Sequence, residues 1–427
     1  MLNHTKRLFA FLVTLAILIG WCGGANAATP MVSLGLDHGV ALRSDGTVVS
    51  WGSDQFGKLG IGRSLNATTP AVVPGLTGVT AIGSGTLHSL AIRQDGTVWA
   101  WGWNADGQLG DGSNTDRSSP VQVQGLDNAA MVCAGERYSM ALKRDGSLWS
   151  WGANFTGSLG IGTQTNPGSF VPVRVLGLSN VASVACGSAH TLALRQDGTV
   201  WAWGSNFQGA LGLGTSSVAD PSRLQPVQVP GLSGVAAIAV GSSSAALKQD
   251  GTVWEWGAVP QDGSARLSPV QLPGIAGAAR LSAGMSRGIA AIKADGTSWW
   301  FWDSGSTPVA QDPVGSIASI VPANFITLLK SDGTVMQGHR ITPQQLSTMA
   351  PVMPGSYTSI SASCGPRPVW SAKYWACSRE SFNTSRKLPR NPCQSLAGRC
   401  VRQACSQRAL ASDCACTSEG GSAFAFR

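Results

Sequence analysis

The sequence predicts an all-β fold, a seven-bladed β-propeller of about four strands per blade, followed by a Cys-rich basic C-terminal tail. An Asp-Gly pair recurs at Asp45-Gly46, Asp95-Gly96, Asp145-Gly146, Asp197-Gly198, Asp250-Gly251, Asp295-Gly296 and Asp332-Gly333, spaced 50, 50, 52, 53, 45 and 37 residues apart. A fixed period of that size is the signature of a repeat architecture and gives seven units. Tryptophan follows the regular turns at a constant offset, as Trp51, Trp99 and Trp101, Trp149 and Trp151, Trp201 and Trp203, and Trp254 and Trp256. Composition agrees: 54 Gly, 16 Trp and only 12% charged residues in 427 describe a turn-rich, buried chain, far from the charged profile of disorder.

The chain opens on Lys6 and Arg7, an apolar run of about 14 residues from Leu8 to Trp21, and the small-residue sequence Ala25-Asn26-Ala27 before Ala28. This order is that of a cleaved secretory signal, with the cut expected between Ala27 and Ala28. The run is too short for a comfortable membrane span. A lipid anchor on Cys22 fits less well, because lipoprotein signals resemble one another in a small residue before the cysteine and Trp21 is large.

Inside a strong unit, "HSLAIRQDGTVWAWG" (88–102) sets two apolar stretches around an Asp-Gly loop, which predicts a hairpin with a two-residue type I′ turn. Beyond the turn, Val98 and Ala100 alternate with Trp99 and Trp101, so both faces of the strand are apolar. Such a sheet must be covered on both sides, and a ring of sheets stacked face to face does this without helices. The glycine loop at 104–112, "SPVQVQGL" (119–126) and "AAMVCAG" (129–135) complete about four strands in fifty residues. The tryptophan pairs are therefore expected to fill the spaces between blades, each contributing roughly 1.5–3 kcal/mol per side chain by burial.

"GSGTLHSLAIRQDGTVWAWG", a following "N..GQLG.G" and a Pro-Val step together resemble the repeat of the regulator of chromosome condensation family, a seven-bladed β-propeller family. The Gly-x-Leu-Gly element recurs at 57–60, 107–110, 157–160 and 209–212. The resemblance covers roughly 31–340 and decays after four units: unit five has no Gly-x-Leu-Gly, unit six reads "WWFWD" at 299–303, and unit seven has no Trp. It implies protein–protein recognition as the general use of the fold, and nucleotide exchange on a small GTPase for the name-giving branch. One branch uses stacked tryptophans to sense ultraviolet light.

"YTSISAS" at 357–363 resembles the strand that opens each other unit and is expected to pair with blade one and tie the ring shut. Cys133 and Cys186, in the opening strands of units three and four, are expected as small buried thiols. The tail, 364–427, holds Cys364, Cys377, Cys393, Cys400, Cys405, Cys414 and Cys416 without a histidine. In an exported chain that favours disulfides over zinc, and the composition fits either a small disulfide module or an unstructured tail. The net charge of +8 is concentrated there: 28–363 carry 18 basic and 19 acidic groups, 364–427 carry 10 and 3. The repeat domain is thus near neutral and has no nucleic-acid footprint.

His38, His88 and His190 stand seven residues before the Asp of their turns, where unit three has Tyr138 and unit five Ser243. Equivalent positions on neighbouring blades are too far apart for one metal ion, so a hydrogen bond near the start of each hairpin is expected. Asp106, Asp111 and Asp116 share a loop but lack a calcium-binding pattern. No catalytic constellation, cofactor site or metal site is expected, and no nucleophile elbow, P-loop or zincin motif occurs. The function expected is that of an exported, non-enzymatic, monomeric scaffold binding a protein or cell-envelope component through its blade loops. The alternative is an exchange factor delivered to a host cytosol. The loops at 103–119, 153–172 and 205–226, where units differ, are the expected seats of recognition.

Overall fold

The computed structural model describes residues 28–353 except 64, 217–218, 242, 259–264, 284–288, 295–297, 302–308, 312–316, 323–324, 331–333 and 340–349. Its 28 strands form seven four-stranded antiparallel sheets, each from four strands consecutive in sequence. They are the seven blades: 31–72, 79–122, 129–174, 181–228, 235–271, 278–311 and 317–353. Among the described residues no helix is long and apolar enough to cross a membrane. The turns at Asp295 and Asp332, the cleavage site at Ala27, the seven tail cysteines and the segment 357–363 lie outside the described residues.

Blade two shows how the sequence builds a sheet. Strands β5 (Val79–Ser84), β6 (His88–Arg93), β7 (Val98–Gly102) and β8 (Arg117–Gln122) pair in chain order, with His88 opposite Gly102 and Ile92 opposite Val98. The turn between β6 and β7 corrects the expectation of a two-residue loop. The Gly96 amide donates to Arg93 O at 2.9 Å and the Arg93 amide to Thr97 O at 3.0 Å, which makes a three-residue loop, Gln94-Asp95-Gly96. Only Gly96 has positive φ, +77°. This is a type I turn closed by a left-handed glycine, the usual three-residue hairpin. The reason lies in the aspartate side chain: Asp95 Oδ1 accepts from the Thr97 amide (2.9 Å) and hydroxyl (2.6 Å), a local cap that type I′ geometry would disrupt. The turns at Asp45, Asp145, Asp197 and Asp250 repeat it.

The two apolar faces of each third strand pack against different neighbours. Val98 and Ala100 join a buried cluster with Trp151 and the edge of Trp149 from blade three, while Trp101 and Trp99 pack on Val40, Leu42 and Val48 of blade one. The same stacking carries Trp203 against blade three and Trp256 against blade four. Each pair is unequal: Trp101, Trp151, Trp203 and Trp256 are wholly buried, whereas Trp99, Trp149, Trp201 and Trp254 are half-buried.

The Gly-x-Leu-Gly loops are sockets for the next blade. Leu59, Leu109, Leu159 and Leu211 are wholly buried. A Cβ on Gly110 would lie 2.8 Å from Trp151 Nε1, and one on Gly160 2.8 Å from Trp203 Nε1, so only glycine leaves room for the incoming indole. Trp151, Trp203 and Trp256 donate to the loop carbonyls of Gln108, Ser158 and Ala210 at 2.9–3.0 Å.

The expected clasp by 357–363 lies outside the described residues. Blade one takes its opening strand from its own β1 (Met31–Leu34), and the four strands of blade seven all come from 317–353. The two ends meet through side chains, with Leu34, Ala41, Val49 and Trp51 packed on Leu329 and Val335. Cys133 and Cys186 are also corrected: they are half-buried and form a disulfide, Cα–Cα 5.7 Å. First strands of adjacent blades converge on the ring axis, which brings two cysteines one repeat apart into bonding range.

Candidate interaction face

Antiparallel strands in chain order send their connections alternately to opposite faces of the ring. The Asp-Gly turns emerge on one face. The loops joining first to second and third to fourth strands emerge on the other.

The turn face is regular, and the same polar contacts recur from blade to blade. Each half-buried tryptophan lies under a cation, with Arg93 4.3 Å from the Trp99 centroid, Lys143 5.6 Å from Trp149, Arg195 5.9 Å from Trp201 and Lys248 4.3 Å from Trp254. Their indole N–H groups donate to Thr97, Ser147, Thr199 and Thr252 at 3.2 Å. The hydroxyl and amide two residues downstream hold the Asp95, Asp145, Asp197 and Asp250 carboxyls below the usual carboxylate range.

The loop face carries the latches between blades. His38 Nε2 meets Ser89 Oγ at 3.0 Å, His88 Nε2 meets Ser139 Oγ at 2.8 Å, and His190 Nε2 meets Ser244 Oγ at 2.9 Å. The Tyr138 hydroxyl makes the equivalent contact with Thr191 Oγ1 at 2.9 Å. The hydrogen bond expected near the start of each hairpin is present and runs to the next blade. Ser139 and Ser244 pass it on to the socket carbonyls of Gln108 and Ala210, both at 2.8 Å. Burial holds the His38 and His88 imidazoles neutral, lowering each to about 3, and His190 to about 4; for His38 the neighbouring Lys58 adds to the effect. Burial likewise pushes the Tyr138 hydroxyl up. Blade five breaks the series: Ser243 Oγ donates to buried Glu255 at 3.0 Å, and Glu255 is paired with Arg266. Burial raises the Glu255 carboxyl against the pull of Arg266.

Outside the latches, the described loops of blades one to three also carry side chains that do not repeat. Phe155 and Phe207 occupy matching loop positions, Phe56 lies one position further along its loop, and Phe56 and Phe207 are 38% and 65% exposed. Trp103, the tryptophan outside the repeat pattern, stands where other units have Ser53, Ala153 and Ser205, and its ring lies 6.0 Å from that of Phe56. The Arg137 guanidinium sits 4.9 Å from the Trp103 centroid and 6.0 Å from that of Phe155, with Asp106 at 3.4 Å. The result is a continuous Phe56–Trp103–Arg137–Phe155 ridge across three blades. It borders a cavity of about 140 Å³ lined by Glu136, Arg137, Phe155, Ser158, Ser188 and Ala189. Exposed aromatics and arginine are the residue types that dominate binding energy at protein interfaces.

The other aspartates of the 104–116 loop are engaged within the protein. Asp111 pairs with Arg117 at 2.8 Å, and Asp116 Oδ1 accepts the Asn104 amide at 2.8 Å. Among the described residues no cluster of three or more His, Cys, Asp or Glu is placed to hold a metal ion. Trp103, Phe155 and Phe207 fall in the loops expected from the sequence to carry recognition, whereas Phe56 and Arg137 lie outside them. The available signal was the aromatic two residues before the Gly-x-Leu-Gly element at Phe155 and Phe207.

Fold and loop face together define a β-propeller whose repeats serve architecture and whose loops are free to differ. The model of the RCC1-like domain matches residues 24–285, and the chain belongs to that family. It is similar to human "Probable E3 ubiquitin-protein ligase HERC6", 38% identical over 94 residues, which is 21% of this chain and 9% of that protein. It is also similar to the Ultraviolet-B receptor UVR8 of Arabidopsis thaliana, 35% identical over 88 residues, 20% of each. The matches thus span a fifth or less of these relatives. Among solved structures, yeast RCC1 (Prp20) bound to Kap60 superposes with a TM-score of 0.61 at 20% identity, covering 74% of this chain and 81% of that one. Prp20p from Saccharomyces cerevisiae, described with its binding to Gsp1p and histones, gives 0.60 at 21% identity over 74% and 84%. Human WBSCR16 gives 0.60 at 21% identity over 69% and 85%. These likenesses are of fold.

Proposed function

We propose that this chain is an exported, monomeric, non-enzymatic scaffold that binds a protein or cell-envelope component through the loop face. The observation that carries the reading is the ridge of Phe56, Trp103, Arg137 and Phe155, set on rigid blades and outside the repeat pattern. The tryptophans of the turn face recur at the same place in each regular blade, whereas Trp103 and Arg137 have no equivalent in the neighbouring units. Export is supported by the leader-like start of the chain and by the Cys133–Cys186 disulfide, a bond that persists in oxidising compartments.

The test is an affinity capture from envelope and culture fractions with three baits: residues 28–427, the same chain ending at 363, and the W103A/R137A variant. A partner held by the first two and lost by the third supports the loop face. Salt-sensitive capture that needs 364–427 would assign binding to the cationic tail and overturn the reading.

Likeness to Prp20p, which binds Gsp1p, favours a second reading, nucleotide exchange on a small GTPase. It requires delivery to a host cytosol. Acceleration of labelled GDP release from a small GTPase by the purified chain would establish it; an unchanged rate is expected.

A further inference from the structure

We infer that the Cys133–Cys186 disulfide is a redox-addressable staple that locks the junction of blades three and four. The two cysteines lie on first strands β9 (Ala129–Ala134) and β13 (Val181–Cys186), which belong to different sheets and share no ladder hydrogen bonds. Blades three and four otherwise meet through packed side chains and hydrogen bonds, among them the Gly162 amide to Leu224 O at 2.9 Å and the Tyr138 hydroxyl to His190 O at 2.7 Å. On the loop face the Leu36 amide donates to Thr86 O (3.3 Å), the Thr86 amide to Gly135 O (3.3 Å), and the Glu136 amide to Ser188 O (3.2 Å). These long bonds recur at equivalent places on three successive seams, and only the third has a disulfide beside it among the described residues.

Two features make the staple matter. Cys133 pairs with Met140 across the β9–β10 ladder, and β10 (Tyr138–Lys143) follows directly from Arg137, so the disulfide positions the strand that carries one wall of the 140 Å³ cavity. Cys186 precedes Gly187, Ser188 and Ala189, the other wall, by one to three residues. Both cysteines also line the central cavity of about 270 Å³, together with Ser33, Ser84 and Ser282, and both are half-buried. A small dithiol can reach them there. Two electrons from the dithiol cleave the S–S bond, its two protons pass to the Cys133 and Cys186 sulfurs, and the dithiol closes to its own disulfide. The inference rests on the geometry of the seam and stands whether or not the loop face binds a partner.

The test compares amide exchange in the purified chain, oxidised and after dithiothreitol, with the C133S/C186S variant under both conditions. In the stapled form the Glu136 amide is expected to exchange at least tenfold more slowly than in the reduced protein or the variant. The Thr86 amide, at an unstapled seam, is expected to stay unchanged. Cross-linking residues 53 apart predicts a melting temperature lower by about 5 °C without the bond. Dithiothreitol should not move the variant, which isolates this bond from the tail cysteines. Equal Glu136 exchange in both redox states, parallel loosening at Thr86, or a matching response of the variant to dithiothreitol would each overturn the staple.

Discussion

Mild acid should destabilise this propeller through three buried histidines well before its carboxylates titrate. His38, His88 and His190 have ordinary imidazole values near 6.5 when unfolded, and burial lowers them to about 3, about 3 and about 4 in the fold. A value depressed by folding means that the unfolded chain binds the proton first. The stability these groups allow is therefore complete above about pH 7 and is lost as pH falls from 6.5 toward 3–4. At pH 5 the unfolded form of each is about thirty times better stabilised by protonation, about 2 kcal/mol per histidine and about 6 kcal/mol for three. That is comparable to the whole stability of an ordinary domain. The assay is guanidinium unfolding followed by tryptophan fluorescence at pH 8, 7, 6 and 5. The midpoint should fall steeply below pH 6.5, and H88Q, which cannot titrate, should remove about a third of the slope. The turn aspartates, held below the usual range, act only at lower pH and do not blur the window. A midpoint flat from pH 7 to 5, or equal slopes for wild type and an H38Q/H88Q/H190Q variant, would refute burial of the neutral imidazoles as the cause.

Other outcomes follow from the seams. W151A removes a wholly buried indole and its bond to Gln108 O and should cost about 3–5 kcal/mol in denaturant unfolding, whereas W149A, half-buried, should cost clearly less. G110A sets a Cβ 2.8 Å from the Trp151 ring nitrogen at φ +67° and should cost more than 2 kcal/mol by the combined strain and clash. G125A, with φ +64° and open space around it, isolates the backbone part at about 1–2 kcal/mol by the same melts. R266A leaves Glu255 buried without its cation and should cost about 3–5 kcal/mol, whereas E255L/R266L should recover most of that loss.

The Asp-Gly period determined the number of blades, and the alternation of Val98, Trp99, Ala100 and Trp101 determined that both faces of a strand are covered. Both are local properties: a strand exposes its pattern with a period of two whatever lies beyond it, and a repeat copies that pattern. The turn type was misread although the residues were plain, because Asp95 acts through its side chain on Thr97 and dipeptide rules consider the backbone alone. Only the tertiary structure decided that Gly110 and Gly160 are sockets for the next indole, that His88 reaches the following blade, and that Cys133 and Cys186 are bonded. It also gathered Phe56, Trp103, Arg137 and Phe155 from three units into one ridge. Each of these depends on how one blade is rotated and stepped against its neighbour, a distance between residues about fifty positions apart. Neither the hydrophobic period nor the turn chemistry within a unit encodes that distance, whereas close packing at the ring axis sets it.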